Sequence, residues 1–267
     1  MDLGLAGKNV LLFGGNATIG YATSLSFAKE GANIAIASRD IAASQRVADK
    51  AKELGSNKTI VMRADATKWN DVEAAVRKTQ EELGAIDVCY HGVAWDTFAS
   101  FFDLDPGEWD RVIDVNLKSV LIACKIVLPV MKAQGHGSFI VMSSVMGRKA
   151  SPLEPVYGAC KAAIINLVHT LATELGPAGV RVNVVAPGPT TPTSPEMLSS
   201  GSGFNLFMRD KKAFDALMDE WSSTMPVRKV GDPYDSAYAV LFLASDVTGA
   251  HQTGQVLGVD GGWYMPH

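Results

Sequence analysis

The sequence is short of the features that mark several protein classes. It has three cysteines in 267 residues, an odd number without metal-ligand spacing, which argues against a disulfide framework and against a zinc site. No apolar run approaches the roughly 20 residues that span a bilayer, and the N-terminus lacks the basic segment of a secretory signal. We therefore expect a cytoplasmic protein with no membrane contact, no metal, and three buried free thiols: Cys89, Cys124 and Cys160.

An excess of positive charge is also missing. The 24 basic and 28 acidic residues are interleaved, the formal net charge is −4, and no stripe of lysine and arginine could follow a phosphate backbone. The sequence therefore predicts no nucleic-acid partner. The composition, 47% hydrophobic and 19% charged, is typical of a globular chain, and one α/β domain is the default at this length.

Short apolar runs alternate with longer amphipathic segments along most of the chain. The segments 19–30, 41–54, 70–83, 108–134 and 155–176 predict helices. The apolar runs are continuous in Val, Ile and Leu, which is typical of parallel strands buried on both faces. The pattern predicts a doubly wound, seven-stranded parallel sheet (Rossmann fold) in one domain, 1–267. Its strands are KNVLLF, NIAIAS, TIVMRA, IDVCYHGVA, GSFIVMSS, VRVNVVAPG and GQVLGVDGG.

One connection, 189–232, is far longer than an ordinary loop of such a fold and predicts a substrate lid. Its apolar residues, with two near the strand ends, favour a fairly large apolar substrate; the alternative is that they pack the lid onto the body. They are Met197, Leu198, Phe204, Phe207, Met208, Phe214, Leu217 and Trp221, with Trp95 and Met146. Nearby cations either meet an anionic tail of an acyl-type substrate or are plain surface charges: Arg148, Lys149, Arg209, Lys211 and Lys212.

The stretch LLFGGNATIG leads from the first strand into a glycine-rich turn. Gly14, Gly15 and Gly20 suit a turn whose N–H groups bind a dinucleotide pyrophosphate at a helix N-terminus; a tight turn without a ligand is the alternative. After the second strand, Ser38 and Arg39 stand where an NAD site usually has an acidic residue. A cation there predicts NADP, with NAD as the alternative, unless Arg39 is only a surface residue.

The segment YGACK places Tyr157 and Lys161 on one face of a helix. An ammonium group about 4 Å from the phenol would lower its pKa from about 10 by up to about 3 units, towards neutrality. Ser144 follows a strand, where its hydroxyl can polarise a carbonyl, and Asn116 lies in DVNLKS on a neighbouring predicted helix. The set has the layout that a carbonyl reductase needs, whereas a Tyr–Lys pair by itself is common on helix surfaces.

The order and spacing of these motifs resemble the short-chain dehydrogenase/reductase family over essentially the whole chain. The resemblance rests on the loop 14–20, Asp65, IDV, DVNLKS, the serines before YGACK, VRVNVVAPGP and GQVLGVDGG. It implies that Tyr157 is the general acid/base, that Lys161 binds the nicotinamide ribose and lowers the tyrosine pKa, and that Ser144 orients the carbonyl. It also implies that Asn116 holds a water that links Lys161 to solvent.

The resemblance further implies a set of cofactor-binding residues and an assembly. Members of the family usually form tetramers through the helices predicted at 108–134 and 155–176, so a homotetramer is expected. Asp65 would accept a hydrogen bond from the adenine, although capping the next helix is the alternative. The implied cofactor residues are Gly14, Asn16, Thr18, Ile19, Gly20, Ser38, Arg39, Asp65, Ala66, His91, Gly92, Tyr157, Lys161, Pro187, Gly188 and Thr190.

Two departures from the family pattern leave the function open. Phe13 and Thr18 replace the usual threonine and middle glycine of the first loop, and Thr18 either weakens cofactor binding or donates its hydroxyl to the phosphate. His91 to Ala94 replace Asn-Asn-Ala-Gly, so His91 either takes over an asparagine's structural hydrogen bonds or is catalytic. The leading hypothesis is an NAD(P)-dependent oxidoreductase that interconverts a secondary alcohol and a ketone. The alternatives are a cofactor-poor, non-catalytic subunit of a hetero-oligomeric dehydrogenase and an enoyl-thioester reductase.

Overall fold

The computed structural model describes residues 1–200 and 210–265. Its seven strands form one parallel sheet in the order β3-β2-β1-β4-β5-β6-β7, which confirms the predicted doubly wound α/β fold. The strands are β1 (Asn9–Phe13), β2 (Asn33–Ser38), β3 (Thr59–Arg63), β4 (Val88–His91), β5 (Gly137–Met142), β6 (Val180–Pro187) and β7 (Val256–Val259).

Helices cover both faces of the sheet. One apolar layer lies between the sheet and the helices at 69–83, 119–134 and 155–175, and the other lies between the sheet and the helices at 18–29, 41–53 and 233–244. Because both faces are covered, the central strands are almost completely buried, as their continuous apolar runs predict. The helices are α1 (Thr18–Lys29), α2 (Ile41–Glu53), α3 (Trp69–Leu83), α4 (Trp109–Ile113), α5 (Ser119–Gln134), α6 (Pro155–Leu175), α7 (Lys211–Thr224) and α8 (Pro233–Ala244).

The strand order reverses beside β1, and this reversal positions the candidate site. β1 pairs with β2 on one side and with β4 on the other, with Phe13 opposite His91 in the last pair. The connections that leave β1 and β4 therefore diverge to opposite faces of the sheet. Ligands of open α/β sheets bind in the crevice that this divergence opens at the carboxyl ends of the strands.

Two helical segments differ from the sequence prediction. The expected helix at 108–134 is divided into α4, a π-helical turn at Asp114–Lys118, and α5. α8 was missed, although its start carries a clear signal: Asp232 and Asp235 form a reciprocal capping box around Pro233. The three cysteines are free and buried, as predicted.

The long connection after β6 is anchored to the body at its beginning. Glu196 accepts hydrogen bonds from the Tyr21 hydroxyl at 3.0 Å and from Lys50 Nζ at 2.8 Å, which ties the connection to α1 and α2. Ser200 donates both its main-chain N–H and its hydroxyl to Asp40, each at 2.9 Å. The predicted lid residues Phe204, Phe207, Met208 and Arg209 lie outside the described residues, and the amphipathic segment that follows forms α7.

None of the helices within 1–200 and 210–265 has both the length and the apolar character needed to cross a bilayer.

Candidate active site

The glycine-rich turn connects β1 to the N-terminus of α1, next to the crevice. Ala17 is the N-cap residue of α1 and makes no side-chain capping bond, so the first N–H groups of the helix are not capped by it. Thr18, the first helical residue, has a φ of +44°, a left-handed conformation that favours glycine. The threonine therefore holds a backbone conformation that glycine adopts without strain.

The turn packs tightly against the first turn of α1. A Cβ atom on Gly20 would lie 1.9 Å from the carbonyl oxygen of Gly14, so no larger residue fits where α1 packs against the turn. Uncapped N–H groups at a helix N-terminus bind phosphate groups favourably. The residues present therefore fit the pyrophosphate of a dinucleotide.

The end of β2 offers one exposed cation. Arg39 is exposed and lies close enough to Asp65 for its charge to act on that carboxylate. Ser38 differs from the expectation of a free phosphate-binding hydroxyl, because its Oγ lies 2.7 Å from Ser44 Oγ and donates to the Asp40 carbonyl oxygen. Arg39 is thus better placed than Ser38 for a 2′-phosphate.

Asp65 has a local structural role in the turn after β3. Its Oδ1 accepts hydrogen bonds from the main-chain N–H of Thr67 at 2.9 Å and from the Thr67 hydroxyl at 2.8 Å. These bonds stabilise the turn before α3. They do not cap that helix, whose N-cap residue is Lys68 and has no side-chain cap.

The other residues expected to bind the cofactor all lie at the carboxyl ends of strands or just after them. Asn16 is buried, and its amide donates to the Asp40 carbonyl oxygen at 3.4 Å. The Thr190 hydroxyl donates to the carbonyl oxygen of Gly188 at 3.0 Å. The positions are Asn16 and Ile19 after β1, Ala66 after β3, Gly92 after β4, and Pro187, Gly188 and Thr190 at the end of β6.

His91 ends β4 inside the protein. It is 1% exposed, its ring centre lies 5.9 Å from that of Phe13, and its Nε2 has no hydrogen-bond partner among the described residues. Burial, helped by the charge of Lys161, lowers the pKa of His91 to about 3. The imidazole is therefore neutral near pH 7, which suits a structural residue better than a proton donor.

Ser144 and Tyr157 meet at the end of β5. Ser144 caps the short 3₁₀ turn Val145–Gly147, with its Oγ accepting from Met146 N at 3.1 Å. Its hydroxyl lies close enough to the Tyr157 phenol to lower the pKa of that group. This turn packs directly on α6: a Cβ atom on Gly147 would lie 2.7 Å from the main-chain carbon of Lys161. Glycine at this position therefore allows the strand-end serine to reach the helical tyrosine.

Lys161 lies one helical turn beyond Tyr157 and is 1% exposed. Its Nζ is 5.2 Å from the centre of the Tyr157 ring and donates to the carbonyl oxygen of Met142 at 3.1 Å. Burial lowers the pKa of this ammonium group to about 8, because an isolated charge is poorly solvated there.

The pKa of Tyr157 departs from the sequence prediction. Burial raises the pKa of the phenol above its usual value, and the nearby carboxyls of Asp96 and Glu154 raise it further, while the contact with Ser144 acts in the opposite direction. The expectation of a pKa lowered towards neutrality is therefore wrong for this state of the site. It considered the lysine but neither the burial nor the two carboxyls.

Asn116 is completely buried in the π-helical turn between α4 and α5. Its amide nitrogen donates to the carbonyl oxygens of Trp95 at 2.5 Å and Val112 at 3.0 Å, while its Oδ1 has no partner among the described residues. Asn116 thus fastens the loop after β4 to the helix before α5. Its free amide oxygen is an acceptor that the protein leaves open.

Two carboxyl groups beside Tyr157 were missed by sequence reasoning. Asp96, in the loop after β4, and Glu154, the residue before α6, lie close enough for each to shift the pKa of the other. Burial and the neighbouring Glu154 raise the pKa of Asp96 to about 8, and burial also raises that of Glu154. No motif links these two residues in the sequence, because the loop and the helix meet only in the folded chain.

The apolar and cationic residues expected near the substrate divide into different roles. Met146 and Met197 are buried, whereas Leu217 and Trp221 on α7 are partly exposed. Two of the cations lie over aromatic rings near the C-terminus, since Arg148 is 4.6 Å from the Tyr264 ring centre and Lys149 is 4.1 Å from that of Trp263. The side chains of Arg209 and Lys211 are outside the described set.

Known proteins resemble this chain over nearly its full length. A family model described as enoyl-(acyl carrier protein) reductase matches residues 14–264. The chain belongs to the short-chain dehydrogenase/reductase family. A solved short-chain dehydrogenase/reductase from Mycobacterium marinum superposes with a TM-score of 0.84 at 28% identity, covering 99% of this chain and 98% of that one.

Two relatives of this short-chain dehydrogenase/reductase show how far the likeness extends. The 3-oxoacyl-(acyl-carrier-protein) reductase FabG of Chlamydia muridarum is 33% identical over 259 residues, which cover 97% of this chain and 98% of that protein. The oxidoreductase UcpA of Escherichia coli K12 is 32% identical over 264 residues, covering 98% and 96%. The chain is thus an oxidoreductase-family protein that matches its relatives over nearly their full length.

Proposed function

We propose that this protein is an NAD(P)-dependent oxidoreductase that interconverts a secondary alcohol and a ketone. Tyr157 is the general acid/base, and the substrate is a fairly large apolar or acyl-type molecule. The observation that carries the proposal is the meeting of Ser144, Tyr157 and Lys161 at the carboxyl end of the sheet, beside the phosphate-binding turn. The likeness to a 3-oxoacyl-thioester reductase supports a keto group as the reacting centre.

The residues at the strand ends would hold the dinucleotide. The turn at Gly14–Gly20 would bind the pyrophosphate, Arg39 the 2′-phosphate of NADP, and Lys161 the nicotinamide ribose. When bound, the nicotinamide supplies or accepts the hydride. NADP is favoured over NAD because Arg39 is an exposed cation at the end of β2, where an acidic residue would suit NAD.

The chain's own residues handle the proton. In the reducing direction the Tyr157 hydroxyl donates its proton to the carbonyl oxygen, while the Ser144 hydroxyl donates a hydrogen bond to the same oxygen and polarises it. A raised pKa keeps the phenol protonated at neutral pH, which suits a proton donor. Lys161 and Asn116, through a water at its open amide oxygen, would then return a proton from solvent.

The connection 189–232 is proposed as the lid over this substrate. It begins beside the end of β6, and Glu196 and Ser200 tie its first part to the helices on the cofactor side. A lid that closes over the cleft would exclude water from the reacting carbonyl.

Replacing Tyr157 tests the proposed chemistry directly. Tyr157→Phe removes the proton donor but preserves the ring, so we expect turnover of ketones with NADPH to fall by about 10³-fold or more while NADPH still binds. Tyr238→Phe, which removes an exposed hydroxyl on α8, is the matched control. A Tyr157→Phe protein with the turnover of the wild type would refute the assignment.

Enoyl-thioester reduction is the second candidate, because the matching family model is described as an enoyl reductase. Ser144 within reach of the Tyr157 hydroxyl favours carbonyl chemistry instead, since both groups then address one oxygen. Turnover of a 3-oxoacyl thioester and of the matched enoyl thioester, each followed by NADPH oxidation, separates the two. Faster reduction of the enoyl compound would favour the second candidate.

A cofactor-poor, non-catalytic subunit remains the competing non-enzymatic role. Thr18 weighs less in its favour than the sequence suggests, because the residue adopts a left-handed backbone of the kind that glycine adopts easily. Titration of the isolated chain with NADPH and NADH, followed by nicotinamide fluorescence, decides the question. Saturable binding supports the enzyme, and no binding supports the subunit.

A homotetramer is the proposed assembly. Leu121 on α5 and Ile113 at the end of α4 are exposed apolar side chains on the segment expected to form an interface. Light scattering of the purified chain gives its mass, and a monomer at micromolar concentration would contradict this assembly.

A further inference from the structure

The last strand leads into a tight turn, residues 260–264, that the proposed chemistry does not use. Trp263 N donates to the carbonyl oxygen of Asp260 at 3.0 Å, and Gly262 N donates to Asp260 Oδ1 at 3.0 Å. Gly261 and Gly262 both have a positive φ, +63° and +80°, which lets the chain reverse within two residues. Residues 260–264, called here the C-terminal turn, therefore have a defined shape.

The C-terminal turn joins the end of β6 to the chain that follows α7. Gly188 N donates to the carbonyl oxygen of Val259 at 2.9 Å, and a Cβ atom on Gly188 would lie 2.8 Å from Asp260 Cα. On another side, Val227 N donates to the carbonyl oxygen of Gly261 at 3.2 Å. The turn is thus packed between a residue expected to bind the cofactor and the last part of the connection 189–232.

Two aromatic rings of the C-terminal turn lie against two adjacent cations. Lys149 Nζ is 4.1 Å from the centre of the Trp263 ring, and the guanidinium carbon of Arg148 is 4.6 Å from that of the Tyr264 ring. A cation this close to an aromatic ring is attracted by its electron-rich face. Because neighbouring residues on one segment meet neighbouring residues on the other, the two contacts fix both the position and the orientation of the cation pair.

The two cations belong to the same hydrogen-bonded unit as Ser144. Gly147 N donates to the carbonyl oxygen of Ser144 at 3.0 Å. The next carbonyl oxygen, that of Val145, accepts from Arg148 N at 2.9 Å and from Lys149 N at 2.8 Å. Since the main chain from Ser144 to Lys149 is held together in this way, a displacement of the cations would displace the serine.

We propose that Trp263 and Tyr264 are positioning residues, which hold the turn that carries Ser144 through the two cations that follow it. This inference rests on the proposed function, because Ser144 is the residue proposed to polarise the substrate carbonyl. Neither aromatic residue needs to touch the substrate. Since the C-terminal turn also contacts Gly188, it sets the serine relative to the cofactor end of β6.

Paired substitutions in the full chain test the aromatic side of these contacts. Trp263→Leu/Tyr264→Leu removes both rings, so we expect kcat/KM for acetoacetyl-coenzyme A, a 3-oxoacyl thioester, to fall by about tenfold or more. The Kd of NADPH should change by less than about twofold, because the rings position the serine and not the cofactor. Trp263→Phe/Tyr264→Phe keeps an aromatic face for each cation and should stay within about threefold of the wild type.

Trp69→Leu/Tyr238→Leu, which removes two exposed rings on α3 and α8, is the matched control and is expected to keep wild-type activity. Wild-type activity in the Trp263→Leu/Tyr264→Leu variant would overturn the inference. Equal losses in its leucine and phenylalanine forms would also overturn it, because contact with a cation would then not be what the rings supply.

The cation side closes a double-mutant cycle. Arg148→Met/Lys149→Met removes both charges and keeps long side chains, so we expect a loss of kcat/KM similar to that caused by removing the rings. Combining the two changes should add less than about threefold, because each of them breaks the same contacts. Losses that multiply, to about a hundredfold, would show that rings and cations act independently and would overturn the inference.

Amide hydrogen exchange separates the failure of this inference from that of the proposed function, because it needs no turnover. The peptide covering residues 143–150 should exchange at least about fivefold faster in Trp263→Leu/Tyr264→Leu than in the wild type. Unchanged exchange would overturn the inference, whether or not the protein reduces ketones. A wild type that reduces no ketone would refute the proposed function, and faster exchange in the variant would still support the hold of the two rings on the serine turn.

Discussion

Lys161 Nζ lies 5.2 Å from the centre of the Tyr157 ring and gives a hydrogen bond to the main-chain oxygen of Met142. The ammonium group therefore lies against the ring of the tyrosine and is held there by the end of β5. Burial and the nearby carboxyls of Asp96 and Glu154 raise the pKa of the phenol, so it remains protonated near pH 7. A protonated tyrosine can donate its proton to a carbonyl oxygen.

Asp96 gives stability a distinctive pH dependence. The pKa of its carboxyl is raised from 3.8 to about 8, so between these values the unfolded chain has lost a proton that the folded chain retains. The free energy of unfolding therefore falls as pH rises from about 4 to 8. We expect Asp96→Asn to be more stable than the wild type by more than about 1 kcal/mol at pH 8, with little gain at pH 4.

Denaturant unfolding across this pH range measures the effect. Asp110→Asn, at an exposed position on α4, serves as the control and is expected to leave the pH profile parallel to that of the wild type. A gain in Asp96→Asn that is the same at pH 4 and pH 8 would speak against a buried, protonated carboxyl.

The pKa shift of His91 gives stability the opposite pH dependence to that of Asp96. Its pKa is lowered from 6.5 to about 3, so the unfolded chain binds a proton on acidification that the folded chain refuses. Stability is therefore lost as pH falls from about 6.5 towards 3. We expect His91→Asn to lose less stability than the wild type as the pH falls. His251→Asn, at an exposed site, should lose as much as the wild type. Thermal unfolding at pH 7, 5.5 and 4.5 makes the comparison, and identical losses in both variants would contradict it.

Replacing Thr18 by glycine is expected to stabilise the protein. A left-handed φ of +44° costs a β-branched residue about 1–2 kcal/mol, part of which glycine recovers after its own entropic cost. Thr18→Gly should therefore stabilise the chain by about 1 kcal/mol and should not weaken NADPH binding. Ala42→Gly, in the right-handed helix α2, is the control and should destabilise by about 1 kcal/mol. Destabilisation by both glycines would show that Thr18 is unstrained.

Arg39 should discriminate between the two dinucleotides. Its guanidinium is exposed at the end of β2, where it can pair with a 2′-phosphate, so Arg39→Gln is expected to raise the Kd of NADPH about tenfold. The Kd of NADH should change less than about threefold, because NADH lacks that phosphate. Fluorescence titrations provide both values, and Arg46→Gln on α2 is the control. An equal rise in Kd for NADPH and NADH would show that Arg39 does not bind the 2′-phosphate.

Gly147 should be required for the approach of Ser144 to α6. An added Cβ would lie 2.7 Å from the main-chain carbon of Lys161, so Gly147→Ala must displace the turn that carries the serine. We expect kcat/KM to fall by about tenfold or more through the loss of geometry. Gly176→Ala, where a Cβ meets nothing within 4 Å, should be silent. Wild-type activity in Gly147→Ala would mean that the serine turn is not constrained by α6.

Features that depend on neighbouring residues in the sequence were predictable from it. Continuous apolar runs identified all seven strands, because a strand buried on both faces has no polar side. The Tyr157–Lys161 spacing likewise follows from helical geometry. The prediction of one helix over 108–134 was less accurate, because the π-helical turn around Asn116 leaves no signature in the pattern of apolar residues.

The amino-acid sequence alone was enough to predict the parallel sheet and the family resemblance. It was also enough to single out Ser144, Tyr157 and Lys161 as candidate catalytic residues. Folding decided the protonation of Tyr157 and the pairing of Asp96 with Glu154. The reason is that pKa depends on burial and on charges brought near through space, and these come from a loop after β4 that meets the start of α6 only in the packed molecule.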